Sequence, residues 1–242
     1  MKSPDDRPIL VAMVAATAVL AAGALATSPP VWPGRALVFW LAACTLSELL
    51  WVRLPLGAAT VSMSSCFNFA ALLLLPRAGA MLAAGLSVAV AESVFMRKRP
   101  IRVAFNSAQT ALAVAAGSLV FSALGGTPAF LALMVARLQL APFLAAGLAY
   151  SLVNTGAVSM AVAASEGTSP VAAWQENFGN SFELAVRGAL LTLGIVIAVL
   201  FPLIGPLGSA LAAVPLVTAR RAYARRLARL APRPPRLGAR TA

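Results

Sequence analysis

The strongest constraint on this chain is a series of apolar runs, each long enough to cross a membrane, separated by short polar breaks. The run "AGAMLAAGLSVAVAES" is typical of them. A hydrocarbon core needs about 20 apolar residues in one helix. Every backbone group inside lipid must be paired within the protein, so only helices and closed barrels span it. Because the runs lack the alternation of a barrel strand, they predict a bundle of membrane helices.

Composition excludes a soluble domain. Hydrophobic residues make up 60% of the 242 residues, and charged residues only 11%. Soluble domains carry about 25% charged residues. We therefore expect an integral membrane protein of the all-α class.

Proline- and glycine-containing breaks divide the chain into a polytopic transmembrane bundle of about seven to eight spanning helices. A short interfacial or re-entrant piece is expected over residues 130–140, because the apolar stretch around it is too long for one crossing and short for two. The stretch "SEGTSPVAAWQENFGNS" predicts the longest polar loop. The first run also fits a signal peptide, but Asp5 and Asp6 favour a membrane helix. The predicted helices cover approximately residues 8–26, 36–52, 60–75, 78–96, 103–124, 143–164, 182–200 and 207–219.

The net charge of +12 comes from two basic clusters that border apolar runs, "RKRPIR" and the segment 220–242. Such clusters mark cytoplasmic segments. They predict a transmembrane domain over residues 1–219, a basic cytoplasmic tail over 220–242, and both termini on the cytoplasmic side of a bacterial inner membrane. Anionic lipid headgroups are the expected surface partner, whereas nucleic acid is not, because the clusters lack interleaved aromatic residues. The residues predicted to contact lipid or a protein partner are Arg97, Lys98, Arg99, Arg102, Arg220, Arg221, Arg225, Arg226 and Arg229.

Polar side chains from five predicted helices fall in one layer near the cytoplasmic side. Ionisable residues inside a membrane segment are energetically costly and indicate function by default. The spacing of Asn106 and Gln109 puts both amides on one helix face. The candidate ligand or signal network consists of Glu48, Asn68, Glu92, Asn106, Gln109, Tyr150 and Asn154.

Three interpretations of this layer stay open. Each group can be satisfied locally, with Glu92 pairing to Arg97 or another loop cation and the amides joining helices as packing contacts. The groups can instead form one network that binds a ligand or switches a signal. In the third interpretation the helix ends are predicted at the wrong residues, and the common layer is an artefact of that error.

Enzyme chemistry is not supported. The chain contains no histidine, which removes the commonest metal ligand and the usual general base. No nucleophile, metal site or phosphate-binding loop accompanies the carboxylates. We expect a protein that is not an enzyme and that holds neither a cofactor nor a metal.

The order of motifs resembles a known arrangement. "LSELLWVRLPLGAATVSMSSCFNFAALLLLPRAGAMLAAGLSVAVAES" is followed by "RKRPIRVAFNSAQTALAVAAGSLVFSALGG", then by "YSLVNTGAVSMAVA" and "PLVTARRAYARRLARL". Over approximately residues 36–230 this resembles the multi-helix membrane sensor region of bacterial signalling proteins that carry HD-GYP or GGDEF output domains. The resemblance draws attention to Glu48, Pro55, Asn106, Gln109 and Asn154.

No HD or GGDEF motif occurs in this sequence. The resemblance therefore implies an inner-membrane sensory or regulatory module without its own catalytic domain, which relays a signal to a cytoplasmic partner. A fainter resemblance, in size and helix count, to the substrate-binding subunits of energy-coupling-factor vitamin transporters gives a second hypothesis, a small-molecule-binding transport subunit. A structural membrane scaffold is the third. Association into a homo-oligomer stays open.

Overall fold

The structure is a computed structural model, and its helices account for nearly all of the residues it describes. These residues are 6–28, 34–53, 60–211, 213–215, 217–218 and 221. The predicted all-α fold class is confirmed, with one short hairpin as the exception.

The helices and strands follow in chain order. The helices are α1 (Asp6–Ala26), α2 (Gly34–Glu48), α3 (Ser64–Leu74), α4 (Arg77–Val90), α5 (Pro100–Ala123), α6 (Leu131–Ala136), α7 (Ala141–Glu166), α8 (Pro170–Phe178) and α9 (Ser181–Ile204). A π-helical turn, Ala91–Phe95, extends α4, and a 3-10 turn, Pro128–Phe130, precedes α6. The strands β1 (Trp51–Arg53) and β2 (Thr60–Ser62) pair antiparallel between α2 and α3.

Helix α3 lies at the centre of the bundle. Every residue from Cys66 to Leu73 is buried, and α3 packs against α2, α4, α5 and α9. A helix that is apolar around its whole circumference is expected to be buried. Helix α9 approaches α3 closely at Gly194, where an added Cβ would lie 2.7 Å from the carbonyl oxygen of Cys66. Glycine is therefore required at this crossing.

Four helices are long and apolar enough to cross a membrane among the described residues: Arg77–Phe95, Pro100–Ala123, Ala141–Glu166 and Ser181–Ile204. The prediction of seven to eight spans is not confirmed. Helix α2 has 15 residues and α3 has 11. An 11-residue helix is about 16 Å long, which is about half the thickness of the hydrocarbon core.

Two predicted helix boundaries around the hairpin are wrong. The helix expected over residues 36–52 ends at Glu48, and the helix expected from residue 60 begins at Ser64. The segments between these ends form β1 and β2. Both strands contain valine, and Thr60 is β-branched, a class of residue that favours extended backbone.

Two prolines in the breaks between helices lie in the first turn of the helix that follows. Pro100 is the first residue of α5, and Pro142 lies in the first turn of α7. Proline fits there because the first turn of a helix has no intrahelical acceptor for its amides. At the other end of the chain, α9 continues through Pro202 and ends at Gly205, whose φ of 61° few other residues adopt.

The predicted long polar loop is wrong in part, because it contains helix α8. Its N-terminus is capped by Ser169, whose hydroxyl oxygen accepts a hydrogen bond from the backbone N–H of Ala172 at 3.1 Å. The short piece expected over residues 130–140 corresponds to the 3-10 turn and α6. Its interfacial or re-entrant position stays a prediction.

The predicted eighth helix is described only in parts. Residues 206–211, 213–215 and 217–218 are helical. Apart from Arg221, the tail over residues 220–242 lies outside the described residues. The division into a membrane domain and a basic tail therefore stays a prediction.

Candidate functional site

A cavity of about 660 Å³ opens at the end of the bundle where α3 begins. Its wall includes residues of the π-helical turn and of seven helices, α2, α3, α4, α5, α7, α8 and α9. Its lining residues are Glu48, Leu49, Ser64, Ser65, Asn68, Val88, Glu92, Phe95, Met96, Lys98, Asn106, Gln109, Thr110, Tyr150, Asn154, Val158, Phe178, Glu183, Arg187 and Leu190.

The structure brings the predicted polar residues together in this cavity. All of Glu48, Asn68, Glu92, Asn106, Gln109, Tyr150 and Asn154 line it. They come from four helices, α2, α3, α5 and α7, and from the π-helical turn that extends α4. Their role as a ligand or signal network stays a prediction.

Glu92 is held on the π-helical turn by two partners. The Asn106 amide nitrogen donates to both carboxylate oxygens, at 2.8 and 2.9 Å. The Lys98 ammonium pairs with the same carboxylate. The expected loop cation is therefore Lys98 rather than Arg97, which is exposed and has a φ of 51°. Glu92 thus joins the end of α4 to the start of α5 across the basic loop.

The N-terminal end of α3 forms the innermost wall of the cavity. Ser64 and Ser65 line it, and no side chain caps this helix terminus. One turn further along, Asn68 is only 1% exposed, and neither of its amide atoms has a hydrogen-bond partner among the described residues. The buried Tyr150 lies beside Ser65 and Asn68.

Glu183 and Arg187 complete the wall on α9. The guanidinium of Arg187 donates to Glu183 Oε1 at 3.0 Å and lies 5.3 Å from the ring centre of Phe178. The side chain of Arg187 is 16% exposed and lies in the cavity wall. Glu183 was not predicted as a site residue. The i,i+4 spacing of opposite charges in an apolar helix would have indicated the pair.

The remaining amides are only partly satisfied. Gln109 donates from Nε2 to the Thr110 hydroxyl at 3.0 Å, while its Oε1 has no partner. Asn154 is half-buried on α7. The carboxylate residue Glu48, in contrast, interacts with another group of the protein. The site therefore combines locally satisfied groups, as the first interpretation expected, with buried polar atoms that no group in the described part of the chain satisfies.

The predicted lipid- or partner-contacting residues are described only in part. Arg97, Arg99 and Arg102 are exposed beside the cavity, and Lys98 is partly exposed while it pairs with Glu92. Arg221 is also exposed. The contact residues that lie outside the described part of the chain are Arg220, Arg225, Arg226 and Arg229. Pro55, to which the resemblance drew attention, lies outside it as well.

The chemistry of the cavity is that of a polar binding site. Three carboxylates and two cations face it, together with amides, hydroxyls and an uncapped helix N-terminus. Over the described ranges, no three or more His, Cys, Asp or Glu side chains come close enough together to hold a metal ion. The expected absence of enzyme activity, cofactor and metal stays a prediction.

Comparison with known proteins gives a family. The MASE9 family model matches residues 34–223, a segment that includes every residue lining the cavity. No curated protein and no solved structure matches the chain. The expected resemblance is thus confirmed for a membrane sensor domain, while the association with HD-GYP or GGDEF output domains is not. The chain belongs to the MASE9 family of membrane-associated sensor domains.

Proposed function

We propose that this membrane sensor domain detects a small polar molecule in the cavity at the N-terminal end of α3. The observation that carries the proposal is the convergence of polar residues from five helices on one space of about 660 Å³. Ligand sites are commonly clefts of about 300–1,000 Å³. A chain that only packed its helices together would have no need to keep so many buried polar groups around one opening.

The basic loop is the proposed route of the signal. Lys98 lies in that loop and Asn106 follows it in α5, and both bind Glu92 in the cavity wall. The π-helical turn that carries Glu92 is an irregularity of a kind that is frequent at functional sites. A molecule that competes for Glu92 would loosen the contact between α4 and α5 and move the exposed arginines beside it. A bound ligand shifts an equilibrium only by its differential affinity for the two states.

The finer elements of the proposal rest on the basic clusters. Positive segments next to membrane helices favour a cytoplasmic position for the loop and the tail in a bacterial inner membrane. In that orientation the cavity lies in the cytoplasmic half of the bundle. A cytoplasmic signalling partner or the anionic lipid surface receives the signal, and the module has no catalytic activity of its own.

The test uses the full chain in cells and in mild detergent. The variants are a truncation before residue 220 and a Glu92→Gln, Asn106→Ala double substitution. The control is Asn177→Ala, which removes an amide bound to the Ala173 carbonyl outside the cavity. The truncation and the double variant are each expected to change the co-purifying partner and the cellular cyclic-dinucleotide level, and the control is not. The proposal fails if neither variant differs from wild type.

A transport subunit is the second candidate, and the size of the cavity favours it. The same polar lining could hold a solute during transfer across the membrane. Co-purification of an ATPase pair, together with uptake that depends on the cavity residues, would favour transport over sensing. If the cavity variants change stability alone, the protein acts as a structural scaffold.

A further inference from the structure

The buried polar atoms of the cavity identify the chemistry of its ligand. No group in the described part of the chain pairs with either amide atom of Asn68, or with Gln109 Oε1, Glu183 Oε2 or Arg187 Nε. Asn68, Gln109 and Glu183 are each less than one-tenth exposed. Buried polar groups in proteins are almost always hydrogen-bonded, so unpaired atoms that share one cavity indicate a missing partner. These atoms include hydrogen-bond donors and acceptors. The missing partner must therefore offer groups of both kinds.

The α3 end of the cavity favours a negative group. A helix N-terminus carries a partial positive charge and free backbone N–H groups, and α3 has no side-chain cap there. The unpaired Asn68 Nδ2 lies one turn inside the same helix, and Arg187 lines the same cavity. An anionic oxygen group placed at this end would accept from the helix and from the amide.

The remainder of the lining favours a positive group. Glu48, Glu92 and Glu183 supply three carboxylates, whereas Lys98 and Arg187 supply two cations. Glu183 uses one carboxylate oxygen for Arg187 and leaves the other unpaired. A protonated amine donates hydrogen bonds and compensates the excess negative charge. A multiply charged anion such as phosphate would be repelled by the same carboxylates.

Resting on the proposed sensory function, we propose that the ligand is a small zwitterion of the amino-acid type. Its carboxylate binds at the N-terminus of α3 beside Asn68, and its ammonium group binds the free oxygens of Glu183 and Gln109. A simple amine leaves the α3 end unsatisfied, and a simple carboxylic acid leaves the acceptors unsatisfied. Each loses affinity because buried groups remain unpaired in the complex.

The test measures the thermal unfolding of the full chain in detergent with matched sets of three compounds. Each set holds an L-amino acid, the amine that lacks its carboxylate and the carboxylic acid that lacks its amine. The sets cover apolar, acidic and basic side chains, and glycine betaine is added as a zwitterion without N–H donors. At about 100 times the Kd, an amino acid is expected to raise the Tm by at least about 5 °C. The matched amine, the matched acid and betaine should give less than a fifth of that shift.

Two site variants and a control locate the binding. Asn68→Leu and Glu183→Gln should each abolish the shift by the amino acid. Asn68→Leu should not lower the Tm without ligand, so it distinguishes lost binding from lost folding. Ser159→Ala removes another buried hydroxyl that has no partner and that does not line the cavity, and it should retain the full shift.

The possible outcomes separate this inference from the proposed function. An equal shift by the amine or the acid alone, with dependence on Asn68, overturns the zwitterion and leaves a sensory cavity for another ligand. No shift by any amino acid also overturns the zwitterion, and the cyclic-dinucleotide measurement then decides the sensory function by itself. A shift that survives both site variants places binding elsewhere and overturns the inference.

Discussion

The two ends of α3 are equally buried but are packed in opposite ways. Towards the C-terminal end, Phe69 and Leu72 fill the space between α5, α7 and α9, and a Cβ added at Gly117 would meet Leu72. Towards the N-terminal end, Asn68 and Ser65 line an open cavity with unpaired polar atoms. Burial by itself therefore does not distinguish packing from function along this helix.

We expect this difference in packing to appear in the free energy of unfolding of variants at the two ends. At the packed end, each side chain has been fitted to its neighbours, so removing or adding atoms destabilises the fold. At the cavity end, polar atoms already lack partners, so replacing them with apolar atoms of similar volume should change stability little. Substitutions at neighbouring positions of one helix can test this contrast.

The largest effect is expected for Phe69→Ala. Phe69 is fully buried, and its ring lies 6.2 Å from that of Tyr150. Truncation of a buried phenylalanine lowers the free energy of unfolding by about 3–5 kcal/mol. The control is Phe182→Ala on α9, where the side chain is 48% exposed. Chemical unfolding in detergent measures the free energy of unfolding of both variants. Similar free energies for the two would contradict tight packing at this end of α3.

Gly194→Ala is expected to destabilise by about 2–3 kcal/mol, because the new Cβ would approach the backbone oxygen of Cys66 at 2.7 Å. A backbone atom moves less readily than the end of a side chain, so the helices must separate. The matched control on the same helix is Gly188→Ala, where nothing lies within 4 Å of the added Cβ. That change should be neutral or slightly stabilising, since alanine favours helix. Equal Tm values for the two variants would exclude the close crossing of α3 and α9.

A smaller effect is expected at the edge of the cavity for Asn106→Ala. The variant removes both hydrogen bonds from the amide to Glu92 and leaves the carboxylate with Lys98. We expect a loss of about 1–2 kcal/mol in the free energy of unfolding. The control is Ser93→Ala, which changes an exposed residue of the same π-helical turn. It should change the free energy of unfolding by less than about 0.5 kcal/mol. If Asn106→Ala is as mild as Ser93→Ala, Glu92 is satisfied without α5.

Much of the candidate site was predictable from the sequence, because an ionisable or amide side chain stands out in an apolar run. Glu48 and Glu92 were visible for that reason, and the basic loop placed them with Asn106 at one depth. The pairing of Glu92 was less predictable. The π-helical turn shifts the register of the last turn of α4, so the carboxylate meets Lys98 instead of Arg97.

Helix lengths were less predictable than helix positions. Residues 60–75 read as one apolar run, but Thr60–Ser62 pairs with Trp51–Arg53, and α3 is left with half the length of a span. Hydropathy records which residues avoid water, and it does not distinguish a helix in lipid from a helix inside protein. Tertiary contacts decide that question, as they do for α3.

The smallest effect on the free energy of unfolding is expected for Asn68→Leu. Asn68 is next to Phe69, for which the largest effect is expected. Leucine has the same number of side-chain heavy atoms as asparagine, with the same branching, and it removes two buried amide atoms that have no partner among the described residues. Because no protein hydrogen bond is lost, the free energy of unfolding without ligand should change by less than about 0.5 kcal/mol or rise. The same detergent unfolding assay measures it. A loss as large as that of Phe69→Ala would show that Asn68 is held by partners in the folded protein. The N-terminal end of α3 would then be packed like its C-terminal end, and the cavity would lose its most buried polar group as a ligand contact.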